Sequence, residues 1–544
     1  MKKIYTLVMA LWTASSISAQ TPVIFKDINA GAGNANFLYP KMIEEKLYFA
    51  ADNGTDGLEP WVTDGTADGT YRIANIAPAG AHSTPRDFTL HNGKIYFTAD
   101  DGTHGRELWV TDGTESGTHL LMDINPSGTD TGPVELVSAL GYLFFQANDG
   151  VNGAELWKTD GTTAGTSMVV DFRPGISNSY PANIMEYNGR IYFEAVTEFL
   201  GAEPCFSDGT AAGTAMLKDI APGSTQHGGM LSPIVHGGLL FFVGFTQNIG
   251  YELWTTDGTE ENTERVVDLM PGPVAGASGI AGMYIYNNEL YLSARIEDNF
   301  NWQLWKTDGT ESGTVPVSAD PVFYGVDARN LNQAFEFNNK LYYYQSIASN
   351  GGRVMWATDG TQAGTQLAAP VPTGTYNWAF SAAPLGDTLY YIDRNPANNQ
   401  LHVWKSLGDA ASAVMLPHPA GGSPTPIDYT TGWLGQVGGK IIYYARHNMG
   451  LGYELYTFQP DEPSNVTEAK AQQNITVYPN PATDKLFIQG FEGTAKVYDI
   501  AGRQVLSQKV MSGNAIDIAE LPSGTYQVQM MEGENKNIIK FIKQ

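Results

Sequence analysis

One cysteine, Cys205, occurs in 544 residues. No intramolecular disulfide can form, so stability has to come from packing. Charge is also scarce. Asp, Glu, Lys and Arg make up 16% of the chain, where about a quarter is usual, so turns must be built from Gly, Asn, Thr and Ser. Basic residues are the rarer sign, 31 against 57 acidic ones, giving a net charge of −26. That excess argues against nucleic acid or anionic lipid as a partner. No segment approaches the ~20 apolar residues a membrane helix needs, and none holds a helical period over ~11 residues. What is plentiful is apolar and aromatic side chain, 42% and 11%, enough for a large core and too much for a disordered chain.

Residues 1–20, MKKIYTLVMALWTASSISAQ, have the form of a secretory signal peptide. Lys2 and Lys3 start it, Ile4 to Trp12 are mostly apolar, and small residues lead to a cleavage point near Ala19. No cysteine lies at that point, which excludes a lipoprotein anchor. The mature chain is expected to be exported, soluble, acidic and monomeric.

An internal repeat dominates the rest. EPWVTDGTADGT (59–70), ELWVTDGTESGT (107–118) and ELWKTDGTTAGT (155–166) are near copies, and four more start at 203, 252, 303 and 354. Weaker copies lie at 402 and 453. The marker positions are Trp61, Trp109, Trp157, Cys205, Trp254, Trp305, Trp356, Trp404 and Tyr456, spaced by 48 to 52 residues. Cys205 stands in a tryptophan slot, which marks it as core.

Each unit holds four strand-like runs, such as 87–92, 94–100, 107–112 and 118–124. Asn92-Gly93 joins the first two as a hairpin, the TDGTxxGT loop joins the last two, and only the link to the next unit is long. A four-stranded meander followed by a crossover is a propeller blade. Nine first strands can be counted but only eight fourth strands, and VIFKDI (23–28) has the form of the missing one. The sequence therefore predicts an all-β chain with a single large β-propeller of nine four-stranded blades. The N-terminal strand closes the ring, and a small C-terminal Ig-like β-sandwich follows. The expected boundaries are 21–458 for the propeller, 459–473 for a linker and 474–544 for the sandwich. The repeated text resembles the ELWxxDGTxxGT repeat family of secreted bacterial proteins, a resemblance that brings no activity with it.

The tail carries Tyr478-Pro479-Asn480-Pro481, Val497-Tyr498-Asp499 with Gly502, Leu521-Pro522-Ser523-Gly524-Thr525-Tyr526 and the terminal Lys540-Phe541-Ile542-Lys543. It resembles the type A C-terminal sorting domain of the type IX secretion system of Bacteroidetes, with Asp499 where that family has Asn. The resemblance implies the type IX machinery as a partner, passage across the outer membrane, removal of the tail, and release or attachment at the cell surface.

Three constellations are candidates for chemistry. The TDGT aspartates Asp64, Asp112, Asp160, Asp208, Asp257, Asp308 and Asp359 suit bonding within their own turns. One carboxylate per loop is a poor start for calcium, which takes six to eight oxygens. Glu107 and Asp123 are set opposite each other on strands three and four if the hairpin centres on Glu115, which also puts Trp109 opposite Leu121. Glu155 with Asp171, Glu203 with Asp219, and Glu252 with Asp268 repeat the interval. Like charges placed opposite are destabilising, so a cation, a basic neighbour, a shared proton or a bulge should compensate. These eight residues are the candidate metal ligands, with Ca2+ as the ion; bonding to loop amides is the alternative. Third, the loops between strands two and three, and the crossovers, vary from unit to unit on one face of the ring. Phe199, Phe300, Trp302, Tyr324, Tyr376 and Trp378 lie on or beside them. Their rings could stack on sugars or fold down onto the blades.

These features point to a non-enzymatic binding protein at the cell surface that recognises glycan or protein through the variable-loop face. The alternatives are a polysaccharide lyase or hydrolase using channel carboxylates among Glu135, Glu186 and Glu336, and a structural surface protein without a small ligand.

Overall fold

The computed structural model describes residues 22–128, 132–197, 200–222, 228–246, 249–269, 280–295, 302–317, 334–346, 353–369, 381–395, 401–416, 433–446, 452–458, 476–478, 482–489, 493–499, 503–510, 515–532 and 535–544. The expected signal peptide and the expected linker lie outside the described residues. The chain divides into two compact units, residues 1–462 and 463–544.

The described residues of the first unit form nine four-stranded antiparallel sheets. Their first strands are Leu38–Ile43, Arg86–His91, Val134–Ala139, Ala182–Tyr187, Leu231–His236, Ile280–Tyr286, Phe335–Phe337, Ala382–Leu385 and Leu434–Val437, which define blades 1 to 9. Blades 1 to 8 are meanders in chain order. In blade 9, Leu434–Val437, Lys440–Ala445 and Glu454–Phe458 are completed by Pro22–Lys26 from the start of the chain. Val23 lies opposite Thr457 and Ile24 opposite Tyr456.

At the centre of each blade a residue of the second strand faces the repeat marker. Phe49 faces Trp61, Phe97 faces Trp109 and Phe145 faces Trp157, cross-strand pairs of the type that stabilises sheets. Cys205 faces Phe193 in the same slot. It is fully buried, and burial pushes its thiol far above the ordinary range, so it is an inert core residue.

Apolar packing runs between blades. Nine clusters fill the unit, each drawn from two neighbouring blades. An open row of nine blades would have only eight such interfaces. The ninth joins Phe37, Phe49 and Trp61 of blade 1 to Val437, Tyr444 and Leu455 of blade 9, with Phe25 and Ile28 of the closing segment. The ring is closed.

Two features of register set up the site. First, the third and fourth strands of blade 2 carry a bulge, so Trp109 pairs with Leu120 and Leu108 with Met122. This corrects the expected pairing of Trp109 with Leu121. Leu121 is the extra residue, and it packs into the cluster shared with blade 3. Blades 3 and 5 repeat the shift at Leu156/Trp157 and Leu253/Trp254. Second, the first strands of blades 1 to 6 are bulged near their beginnings. In blades 1 to 5, Tyr39, Asp87, Glu135, Asn183 and Ser232 sit there in left-handed backbone, with φ of 52°, 62°, 58°, 57° and 49°.

The second unit is a sandwich. A three-stranded sheet (Thr476–Tyr478, Lys485–Gln489, Ala515–Asp517) and a four-stranded one (Gly493–Asp499, Gln504–Val510, Gly524–Glu532, Asn535–Lys543) enclose Leu486, Ile488, Val497, Ile516, Val528 and Phe541. The tail motifs hold its corners. The Tyr526 hydroxyl donates to the Pro522 carbonyl at 2.8 Å, and Asp499 accepts from the Arg503 backbone and side chain at 3.0 and 2.8 Å.

Candidate functional site

The TDGT loops are occupied with themselves. In all seven, the Asp Oδ1 accepts the N–H and the hydroxyl of the Thr two residues on, at 2.7–2.9 Å. These bonds hold the carboxyls below their ordinary range. The other motif letters follow from the same turn. Gly113 has φ 93°, a side chain at Gly117 would strike the Asp112 carboxylate, and the Thr118 hydroxyl donates to the Thr114 carbonyl at 2.6 Å. Blade 5 has Asn262 in place of that second glycine, and its Nδ2 donates to Asp257 Oδ2 at 2.6 Å. The loops also meet the preceding blade: the hydroxyls of Tyr96, Tyr192 and Tyr291 leave no room for a Cβ at Gly161, Gly258 and Gly360.

The repeated glutamates are buried clamps. Each ties its third strand to the crossover that leaves its own blade. Glu59 accepts from Ile76 N, Ala77 N and Ser83 Oγ at 2.8, 3.2 and 2.8 Å. Glu155 accepts from Phe172 N, Ser179 N and Ser179 Oγ at 3.1, 3.0 and 2.6 Å. Glu107 takes Asn125 N, Glu203 takes Ile220 N and Gly228 N, and Glu252 takes Leu269 N. The clamp recurs at the closure, where Glu454 accepts Ile28 N at 2.7 Å and Asn29 N at 3.3 Å. Burial pushes Glu59, Glu107, Glu155 and Glu203 up to about 7 and Glu454 to about 8; the N–H donors oppose this. Asp123, Asp171 and Asp219 add to the rise by their charge, so the structure brings those predicted pairs together. Asp171 accepts Arg173 N at 3.1 Å and Asp268 pairs with Arg265 at 3.2 Å. Glu107 Oε2 and Asp123 Oδ1 are buried without a hydrogen-bond partner. Among the described residues no three His, Cys, Asp or Glu side chains gather as a metal-holding group.

On the variable-loop face, Phe199, Phe300, Tyr324, Tyr376 and Trp378 lie outside the described residues. Trp302 is described only in its backbone, paired with Arg295. Of the channel carboxylates, Glu135 accepts Asn183 N at 3.3 Å and Glu186 accepts Leu140 N at 3.2 Å. These bonds tie blades 3 and 4 at opposite ends of their first strands. Glu336 lies on the first strand of blade 7.

A cavity of about 400 Å³ opens where the bulged first strands of blades 1 to 3 meet, lined by Tyr39, Lys41, Asp87, Thr89, Glu135 and Leu136. The bulges follow the crossovers, so the cavity is at the channel end nearer the variable loops. Burial raises the Asp87 and Glu135 carboxyls, and Arg86 and Arg106 offset part of the rise at Asp87. Sequence reading named Glu135 and missed Tyr39 and Asp87. The available signal was their spacing, 48 residues from each to the next.

Residues 476–544 match the model of the secretion system C-terminal sorting domain. The chain is a nine-bladed propeller followed by the sorting tail of the type IX system, and it is handled by that machinery and secreted or attached at the cell surface. No helix among the described residues is long and apolar enough to cross a membrane. The sequence matches no curated protein. Similar solved structures include a puromycin hydrolase (14% identity, 68% of this chain and 59% of that one, TM-score 0.36). A puromycin-hydrolyzing peptidase of Mycobacterium tuberculosis is similar at 11% identity, over 79% of this chain and 61% of that one, with TM-score 0.38. A structure from a study of two prolyl endopeptidases is similar at 12% identity, over 67% and 54%, with TM-score 0.38. The chain thus spans 54% to 61% of the length of these structures.

The clamps generate two predictions. Glu155→Ala takes the acceptor from Phe172 N and one of two acceptors from Ser179 N and Oγ, which keep the Ala154 carbonyl, and should cost about 1–3 kcal/mol in denaturant unfolding. The clamp carboxyls titrate near 7 to 8 when folded and near 4.5 when unfolded, so between those values the folded chain binds more protons. Stability should therefore fall as pH rises from 5 to 8. Glu155→Gln should shallow that slope, whereas Asp112→Asn at an exposed loop should leave it unchanged.

Proposed function

We propose that the propeller is a non-enzymatic binding module, exported behind a cleaved signal peptide and presented outside the cell, that recognises glycan or protein through its variable-loop face. The observation that carries this reading is the contrast between the two faces. On one, the TDGT loops repeat with their carboxylates bonded inside their own turns. On the other, DDGTHG (100–105) gives way to TEFLG (197–201), EDNFNW (297–302) and DRNPANN (393–399). Sequence variation on a rigid scaffold is where recognition resides. The bonding of Glu135 and Glu186 to neighbouring backbone favours binding over catalysis by those carboxylates. The expected outcome on a glycan array is retention without product. New reducing or unsaturated ends in the supernatant would establish the enzyme reading instead.

A second reading concerns metal. Of the eight proposed ligands, Glu107, Asp123, Asp219 and Asp268 each have a buried oxygen without a hydrogen-bond partner; Glu107 and Asp123 belong to one pair, and a divalent cation between them would relieve its repulsion. Calcium should then raise the melting temperature of the wild type and not of Asp123→Asn. An equal response in both contradicts a cation at this pair.

A further inference from the structure

We propose that the cavity at the channel mouth, between the bulged first strands of blades 1, 2 and 3, is a binding site for one or two residues of an uncharged glycan. The inference rests on the binding-module reading and deepens it, moving the point of recognition from the loops to the channel wall they surround.

Three observations carry it. The lining is built by one backbone device used three times: Tyr39, Asp87 and Glu135 occupy the same bulge position in successive blades, and all three line the same cavity. Glycine or asparagine holds left-handed backbone with little strain, while tyrosine and glutamate do not. The fold needs the bulge but does not need these side chains. Their chemistry is complementary to a sugar. Tyr39 is 43% exposed, a large aromatic surface left to water in the wall of a cavity, suited to the C–H face of a pyranose. Asp87 and Glu135 are acceptors for vicinal hydroxyls, and Lys41 is a donor beside them. Thr89 is already engaged, its hydroxyl donating to the carbonyls of Asp87 and Leu136 at 3.0 and 3.4 Å, so it braces the wall.

Charge then selects the ligand. Asp87 lies 3.6 Å from Arg86, and Lys41 stands in the same wall as Glu135. Glu135 has the charges of Asp87 and Glu194 near it, so the wall disfavours an anionic ligand and suits an uncharged one. The acidic excess of the whole chain, −26, repels uronate and sulfated chains. The cavity volume, about 400 Å³, is within the range of small-ligand sites.

The test is calorimetric titration of the full chain with neutral hexasaccharides of glucose, xylose and mannose, and with hexagalacturonate as the anionic probe. At least one neutral hexasaccharide should bind and hexagalacturonate should not. Tyr39→Gly and Glu135→Gln should each weaken binding at least tenfold. Glycine adopts the Tyr39 backbone freely, so Tyr39→Gly should melt no lower than the wild type; that separates a lost contact from a lost fold. If both variants bind within twofold of wild type while Trp378→Ala loses binding, the channel site is overturned and the loop-face reading stands. If no neutral hexasaccharide binds the wild type at millimolar concentration, the channel site and the glycan form of the reading both fail.

Discussion

A four-stranded blade has two apolar faces and cannot bury either one by itself. Each face needs a neighbour, so an open row of blades would leave one face bare at each end. This chain meets the constraint by returning to its start. Pro22–Lys26 pairs with Glu454–Phe458, and the ninth apolar interface forms between blades 9 and 1. The clamp at Glu454, reaching Ile28, is the same device that Glu59 and Glu107 use within the ring. The N-terminal segment is thus a fourth strand in every physical respect, separated from its blade only in sequence. Lys440 adds a further tie across the seam, donating to the Gly65 carbonyl at 3.0 Å.

Closure explains why one face of the ring is uniform. The TDGT loop must fit its own turn and the side chain of the blade before it, and the two demands together fix nearly every letter of the motif. In blades 1 to 3 the loops between strands two and three are held in a similar way, with Asp52, Asp100 and Asn148 accepting the N–H groups of Gly54, Gly102 and Gly150 at 2.7–2.8 Å, and their sequences diverge from blade 4 onward. At the channel mouth the bulged first strands keep their backbone while changing side chain from Tyr39 to Asp87 to Glu135 to Asn183. The scaffold and the proposed recognition surface are thereby separated within a single repeat.

Much of this was legible in the sequence, and the reasons are specific. The spacing of Trp61, Trp109 and Trp157 follows from cross-strand pairs that every blade needs. The form of VIFKDI betrays its role because Ile28 stands where Ile76 and Ile124 stand after their fourth strands. Cys205 was readable as core because a slot has an address. The register of Trp109 was not readable, since a bulge leaves no mark on side-chain type and shifts the pairing by one residue. Nor was the channel-mouth trio. Tyr39, Asp87 and Glu135 share a backbone conformation and a 48-residue spacing, but an aromatic ring and two carboxylates carry no common motif, so only the folded ring shows that they line one cavity. The aromatic candidates on the variable loops belong to segments that follow no repeat, so spacing could not place them.

The most direct test of the account is a covalent one. Val23 and Thr457 are opposite each other in the closing pair, and the single native cysteine is fully buried at position 205. Val23→Cys combined with Thr457→Cys, expressed under oxidising conditions, should form one intramolecular disulfide and raise the melting temperature, which falls back on reduction. Two freely reactive thiols in the folded double variant, or a disulfide that forms only between molecules, would contradict closure by the N-terminal strand.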